Sequence, residues 1–457
     1  MAQVRTLEAV KAAVEKEFDK EIALLRRKQN ARLPIFRLSA ELLASIFQSV
    51  LPSYEDGLQT TTYPPRPLPT TPYPNSLGRL ILVCHGWRKI ILDSPTLWTV
   101  FPCKDQLRPM YVTEALRLSR LMPLDVAFTF GPISPWTLHH SFETLRQESF
   151  RWRRLAINYD GPLCNLEFLE EVSAPELENF HLSPNPLTAD ENAMRPLNIF
   201  SGSPLPKLRT FGLSGISIRW ELGQLAGGAL RNLYLSRIRT HAPSVTQILD
   251  VVRLSPLLET LSLHAVPLVT ENVADLPKVL APSIITVILE RLPSAALRQL
   301  VPRIQPPSRR VNFIVEHAPT MEEAPDFFAP GHESVLESIL RGRNGKPIHV
   351  HYKEGSIKVS NSISSYLRIF GPAADQGLEW VRDCLECPTE ATRGEVFLEI
   401  SYLKNPHHGP IPQKFQTLCR IPNVETLKLY TKRDEWEGAA ILLRLLSSPF
   451  RDLASGE

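Results

Sequence analysis

Six times between residues 152 and 289 the chain repeats one short string, apolar-x-x-apolar-x-apolar. It reads Trp152-Leu155-Ile157, Leu177-Phe180-Leu182, Leu208-Phe211-Leu213, Leu230-Leu233-Leu235, Leu258-Leu261-Leu263 and Ile284-Val287-Leu289, with starts 25, 31, 22, 28 and 26 residues apart. The alternation in each string is that of a short, half-buried strand. The gaps leave room for one return helix or turn per unit. Two of them carry helical patterns: Val245–Leu254, with Val245, Ile248, Leu249 and Val252 on one side, and Ala295–Val301. A unit of this size cannot bury its apolar side alone, so neighbours must stack into a curved solenoid. Proline, at 41 of 457 residues, is nearly twice its usual share of about 5%. Because proline ends helices and central strands, many short elements are expected.

Beyond residue 305 the pattern loosens. Ile348–Tyr352, carrying His349 and His351, reads as a strand, Lys353–Ser356 as a turn and Ile357–Val359 as its return. A strand at Val396–Tyr402 and a last repeat-like string, Val424-Leu427-Leu429, follow, with an excursion loop at Pro325–Pro330. This stretch is read as a continuation of the solenoid with longer insertions, the alternative being a separate domain. A helix at Ala439–Leu446 caps it, and residues 447–457 should fray.

The N-terminal third is helical in pattern. Over residues 1–32, Leu7, Val14, Phe18, Ile22 and Leu25 fall near one stripe among interleaved charges. That suits either a short self-associating coil or a single helix flanking the next domain. Pro34 closes it, and Ser39 is a good N-cap for a second helix whose Leu42, Leu43, Ile46, Phe47 and Val50 make one broad apolar face. Residues 52–76, with seven prolines and a threonine run, read as an exposed loop; its P-x-x-P steps fit a spacer or a docking peptide. A third helix is predicted from Leu77 to Leu92, with Leu77, Leu80, Ile81, Cys84, Trp87 and Ile91 in its core stripe, stopped by Asp93-Ser94-Pro95.

This order of residues resembles an F-box. Members of that family open a first helix with a leucine-proline turn, an acidic residue and a Leu-Leu-x-x-Ile-Phe string. A second helix carries Val-Cys-x-x-Trp-Arg, and Pro-x-Leu-Trp ends the module. The matches here are Leu38, Glu41, Leu42, Leu43, Ile46 and Phe47, then Val83, Cys84, Trp87 and Arg88, then Pro95, Leu97 and Trp98, within residues 33–101. The leucine-proline step itself reads Leu38-Ser39, with Leu33-Pro34 five residues upstream, and the insertion at 52–76 is long for the family. The strings beyond residue 150 look like strand segments of irregular leucine-rich repeats, without the usual turn asparagine. The expected fold class is α+β and multidomain: an N-terminal helix (1–32), an all-α F-box-like module (33–101), a connecting helical segment (102–149) and an α/β leucine-rich-repeat-like solenoid, or horseshoe (150–446).

What the resemblance implies is docking to a Skp-family adaptor and, through it, to a cullin ubiquitin ligase, with the repeats presenting a surface to a target protein. The candidate adaptor-binding or module-core residues are Leu38, Glu41, Leu42, Ile46, Phe47, Val83, Cys84, Trp87, Pro95, Leu97 and Trp98. Trp87, mid-stripe, is assigned to the core. A repeat-based scaffold without a ligase role is the other reading.

Catalytic chemistry is not visible. The chain has no phosphate loop, dinucleotide fingerprint, nucleophile elbow or zincin motif. Cys384-x-x-Cys387, with Cys419 and His407-His408 nearby, has irregular spacing for zinc, and His349 and His351 read as a solvated strand face. Neither a metal nor a cofactor is expected. Net charge is +3, from 51 Lys+Arg and 48 Asp+Glu, and basic residues do not cluster with aromatics, so no nucleic-acid partner is expected. No secretory signal or membrane span is read, and six scattered cysteines suit a reduced protein, so the expected compartment is cytoplasmic or nuclear. Arg209 and Arg231, in one repeat register, are the sole hint of a phosphate-binding row.

Overall fold

The computed structural model describes residues 2–51, 73–103, 109–130, 136–159, 166–305 apart from 167, 185–195, 203, 221–224, 226, 227, 239 and 271–275, the strand segments 312–317, 348–353, 356–360, 366–370, 396–401 and 424–430, and residues 378, 381–383, 385, 417, 418 and 421. The loop at 325–330, the cysteines Cys384, Cys387 and Cys419, His407-His408, the cap at 439–446 and the tail at 447–457 lie outside them, as do the P-x-x-P steps. Two compact units divide the chain, Met1–Cys164 and Asn165–Glu457.

The first unit opens with helix α1, Ala2–Asn30, followed by a 3-10 turn, Pro34–Arg37, and α2, Ala40–Val50. Ser39 caps α2, its hydroxyl accepting the Leu42 N–H at 3.4 Å. The helix predicted over Leu77–Leu92 is corrected: α3 runs Tyr73–Ile81 and α4 runs His85–Asp93, with a turn between them. Cys84 is the cause. Its backbone is extended and its Sγ accepts the Trp87 N–H at 3.5 Å, an N-cap in place of a continuing helix. The segment 102–149, expected to be helical, also holds strands. α5 (Pro109–Ser119) and α6 (Trp136–Arg146) flank β2 (Leu124–Phe130), which pairs in parallel with β1 (Val100–Cys103) and β3 (Trp152–Tyr159). Leu124, Val126, Phe128 and Phe130 of β2 alternate with Asp125 and Thr129, a period-2 strand pattern, and Leu124 to Phe128 are all buried, Asp125 through its pairing with Arg153 at 2.6 Å. Arg151, buried beside it, donates to Ser119 Oγ at 3.1 Å, the Met122 carbonyl at 2.9 Å and Glu148 at 2.8 Å.

The second unit, with the short helix α7 (Phe168–Glu171) near its start, is built on a parallel ladder: β4 (Asn179–Pro184), β5 (Thr210–Ser214), β6 (Asn232–Ser236), β7 (Thr260–His264), β9 (Thr286–Leu292) and β11 (Asn312–His317). Registers align Phe180, Phe211, Leu233, Leu261 and Val287 in one buried row and Leu182, Leu213, Leu235, Leu263 and Leu289 in the next. Five of the six repeated strings become β4, β5, β6, β7 and β9, and the first lies in β3 of the first unit. Each rung starts alike. The Glu178 carbonyl accepts the N–H of both Arg209 and Thr210, and the Arg209, Arg231 and Glu259 carbonyls do the same for the next rung. Each rung also ends alike. Gly215, Arg237 and Ala265 follow their strands at φ of 62°, 53° and 50°, and Arg291, the penultimate residue of β9, has φ 53°, a left-handed conformation that suits glycine and strains the other three.

Between rungs lie α8 (Val245–Leu254), opened by a reciprocal Ser244–Gln247 capping box, and α9 (Ser294–Leu300), both where the sequence places helices. A small second ladder pairs β8 (Val279–Leu280) with β10 (Ile304–Gln305). After β11 the order departs from chain order: β14 (Tyr366–Phe370) lies beside β11, then β13 (Ser356–Ser360), β12 (Ile348–Lys353), β15 (Val396–Ser401) and β16 (Val424–Tyr430). The hairpin β12–β13 is the one read from the sequence, and β13 is antiparallel to both its neighbours. No described helix is long and apolar enough to cross a membrane.

Candidate docking surface on the helical module

The apolar face of α2 divides in two. Leu43 and Phe47, with Leu51 behind them, are buried at 1%, 2% and 4% exposure. Phe47 meets Trp87 of α4 with ring centroids 4.7 Å apart and planes tilted by 53°. Leu77, Ile91 and Leu97 complete this interior, and the Trp98 indole N–H donates to the Ile91 carbonyl at 2.8 Å, tying the 3-10 turn Pro95–Trp98 to the end of α4. Trp87 itself is half-buried, although its ring meets the buried Phe47.

The other side of the helix is bare. Leu38, Leu42, Ile46 and Val50 recur every four residues and are 39%, 55%, 42% and 64% exposed. Together they leave on the order of 300–400 Å² of apolar surface in water, the size of a functional patch on a monomer. A second exposed apolar step lies at the turn between α3 and α4, where Leu82 and Val83 are 83% and 57% exposed. Glu41, on the first turn of α2, is exposed. Hydrogen bonds from its own backbone N–H and the Ser39 hydroxyl hold its carboxyl below the usual range.

The candidate residues therefore sort by environment. Phe47, Leu97 and Trp98 are interior; Cys84, Trp87 and Pro95 are half-buried; Leu38, Glu41, Leu42, Ile46 and Val83 face solvent. Sequence reasoning missed Leu82, which lies off the helical stripe and stands exposed in the turn between α3 and α4. It also missed the contact that positions the 3-10 turn: the Phe36 ring lies against Gly86 of α4, where a Cβ would stand 2.6 Å from Cε1.

Chemical groups elsewhere have structural partners. The Glu170 carboxylate accepts the Asn198 backbone N–H at 3.0 Å. Arg209 and Arg231 do not form a free cationic row: Arg209 lies 3.8 Å from Glu178 and Arg231 2.7 Å from Glu259. His349 and His351 share the more exposed face of β12. Among the described residues no three His, Cys, Asp or Glu side chains gather to hold a metal. Comparison with protein-family models, curated proteins and solved structures finds no match for this chain.

Proposed function

We propose that this protein is a substrate-recruiting subunit of a Skp–cullin–F-box ubiquitin ligase, acting in the cytoplasm or nucleus. Its helical module docks on a Skp-family adaptor. Its repeat region, read as a leucine-rich-repeat-like solenoid, presents a face to a target protein. The subunit contributes proximity: a conjugating enzyme on the cullin modifies lysines of a target held at high effective concentration, with no catalytic group from this chain. The observation that carries the reading is the bare apolar row Leu38, Leu42, Ile46 and Val50, backed by a packed interior at Leu43 and Phe47. A small module that keeps such a row in water is suited to an apolar partner groove.

The test is co-expression of the full chain with a Skp-family adaptor, followed by size exclusion with light scattering. One adaptor per chain is the expected stoichiometry. Leu42→Asp/Ile46→Asp should abolish the complex while leaving circular dichroism and thermal unfolding unchanged. Phe47→Ala should lose it by unfolding the module, at about 3–5 kcal/mol for a buried aromatic. A wild-type chain that binds no adaptor refutes the proposal and leaves a repeat-based scaffold without a ligase role.

A further inference from the structure

The outer face of the second unit's ladder changes character after β11. Cross-strand registers set Ser262, Ile288, Ile314, Arg368, Lys358 and His351 side by side across β7, β9, β11, β14, β13 and β12. Alternate residues such as Leu289, Leu367 and Val359, on the other face, are buried, whereas Arg368 is exposed and the rest of the row half-buried. Adjacent strands lie about 4.8 Å apart, so from Ile288 to His351 the row spans about 19 Å. It passes from two isoleucines directly to three basic residues.

Like charges directly opposite one another on a sheet are destabilising, and Arg368 and Lys358 are such a pair. The antiparallel strand β13 creates it, by setting Lys358 between Arg368 and His351. Lys358 Nζ lies 4.5 Å from the Tyr366 ring centroid, a contact that holds the ammonium on this face. The outer-face positions of β14, β13 and β12, three per strand, include no acid, and Lys353 is a further cation among them. Acids stand on either side instead: Glu290 and Glu316 at paired positions in β9 and β11, and Glu399 across from His351 in β15. Ion pairs along an exposed face are worth little in water, so a partner's carboxylate exchanges for them readily.

We propose that this row docks an extended segment of the target protein, with an apolar residue over Ile288 and Ile314 and Asp or Glu over Arg368 and Lys358. The proposal rests on the recruiting function above, which makes the bound protein a target. Side chains on one side of an extended chain recur about every 6.6 Å. An apolar residue seated between the isoleucines therefore places the residues two and four positions away over Arg368 and between Lys358 and His351. Charge fixes which end lies where: Glu290 and Glu316 repel an acid from the isoleucine half, and the cations draw it to the other.

The experiment is fluorescence anisotropy with the full chain and a labelled peptide, Gly-Ser-Leu-Ser-Glu-Ser-Glu-Ser-Gly. A row that crosses the strands accepts either chain direction, so the reversed order is measured beside it. One of the two should bind at least about tenfold more tightly than the same peptide with glutamine for glutamate or serine for leucine. Arg368→Glu/Lys358→Glu should lose that affinity by at least about tenfold and gain affinity for the peptide with lysine in place of glutamate. Such an exchange of preference requires a folded chain, which separates it from unfolding. Failure of both orders to bind at millimolar peptide overturns the proposal. So does equal binding of the glutamine or serine version, or of the glutamate peptide by the double variant. No adaptor is present in this assay, so this proposal and the ligase reading fail separately.

Discussion

His181 gives the second unit a built-in acid sensitivity. It lies on β4 directly across from Gly212 of β5, and its ring lies in the space where a Gly212 side chain would stand. Burial without a counter-charge pushes its pKa down from 6.5 to about 4. The unfolded chain therefore binds a proton that the native state refuses throughout the window between those values. Since stability rises with pH wherever the unfolded state holds more protons, the contribution is complete above the unfolded value. It drains away as pH falls towards the folded one.

A depression of this size is worth about 2 kcal/mol between roughly pH 7 and pH 5, at about 1.4 kcal/mol per unit, and up to about 3 kcal/mol near pH 4. Residual water contact at the half-buried ring trims the first figure to about 1–2 kcal/mol. Urea unfolding at a series of pH values, read by circular dichroism, measures it. His181→Gln should flatten the profile relative to wild type by that amount, since carboxylates that titrate in both chains cancel in the difference. Gly212→Ala provides the converse: its Cβ would collide with His181 Nδ1, expelling the ring into water. It should lower stability near neutrality by about 1–3 kcal/mol and also flatten the acid slope. Parallel pH profiles for wild type and His181→Gln would refute the reasoning.

Gly86→Ala should lower the melting temperature of the first unit, because the Phe36 ring must yield, at about 1–2 kcal/mol against a helix-propensity gain of about 0.5–1 kcal/mol. In a Phe36→Ala background the same change should become stabilising, a sign reversal read by a double-mutant cycle. Ala265→Gly should stabilise by about 0.5–1 kcal/mol in urea unfolding: relief of the left-handed turn, about 1–2 kcal/mol, outweighs the added freedom of the unfolded chain. Arg151→Ala should cost about 2–4 kcal/mol, since Ser119 and the Met122 carbonyl lose a buried donor, while Arg151→Lys should recover only part of it.

Much of this protein was legible in its sequence because several signals are local. The strings at Leu177, Leu208, Leu230, Leu258 and Ile284 each mark a strand of the second unit. Alternation over three or four residues is all a strand with one covered face needs. Ser39 and Ser244 announce helix starts by the oxygen each places on a backbone N–H, and Pro95 announces a stop. The β12–β13 hairpin follows from adjacent alternating segments. The helix carrying Leu42 and Phe47 was likewise legible, whereas the stretch read as one helix over Leu77–Leu92 is two, α3 and α4.

What tertiary structure alone decided is which side of an apolar surface is covered. Leu42 and Leu43 are chemically identical neighbours on α2, and only the arrival of Trp87 against Phe47 makes one interior and leaves the other in water. The break at Leu82–Cys84 depends on a thiol accepting a backbone N–H where the stripe would continue. β2 carries a strand's alternation in its sequence, but only its pairing with β1 and β3 shows where it lies, and β14 takes its place beside β11 through pairings made far from its neighbours in the chain. Periodicity is a property of a segment, whereas exposure is a property of what the segment meets. Sequence therefore determined the elements and their caps, and packing determined which of their apolar residues remain available to a partner.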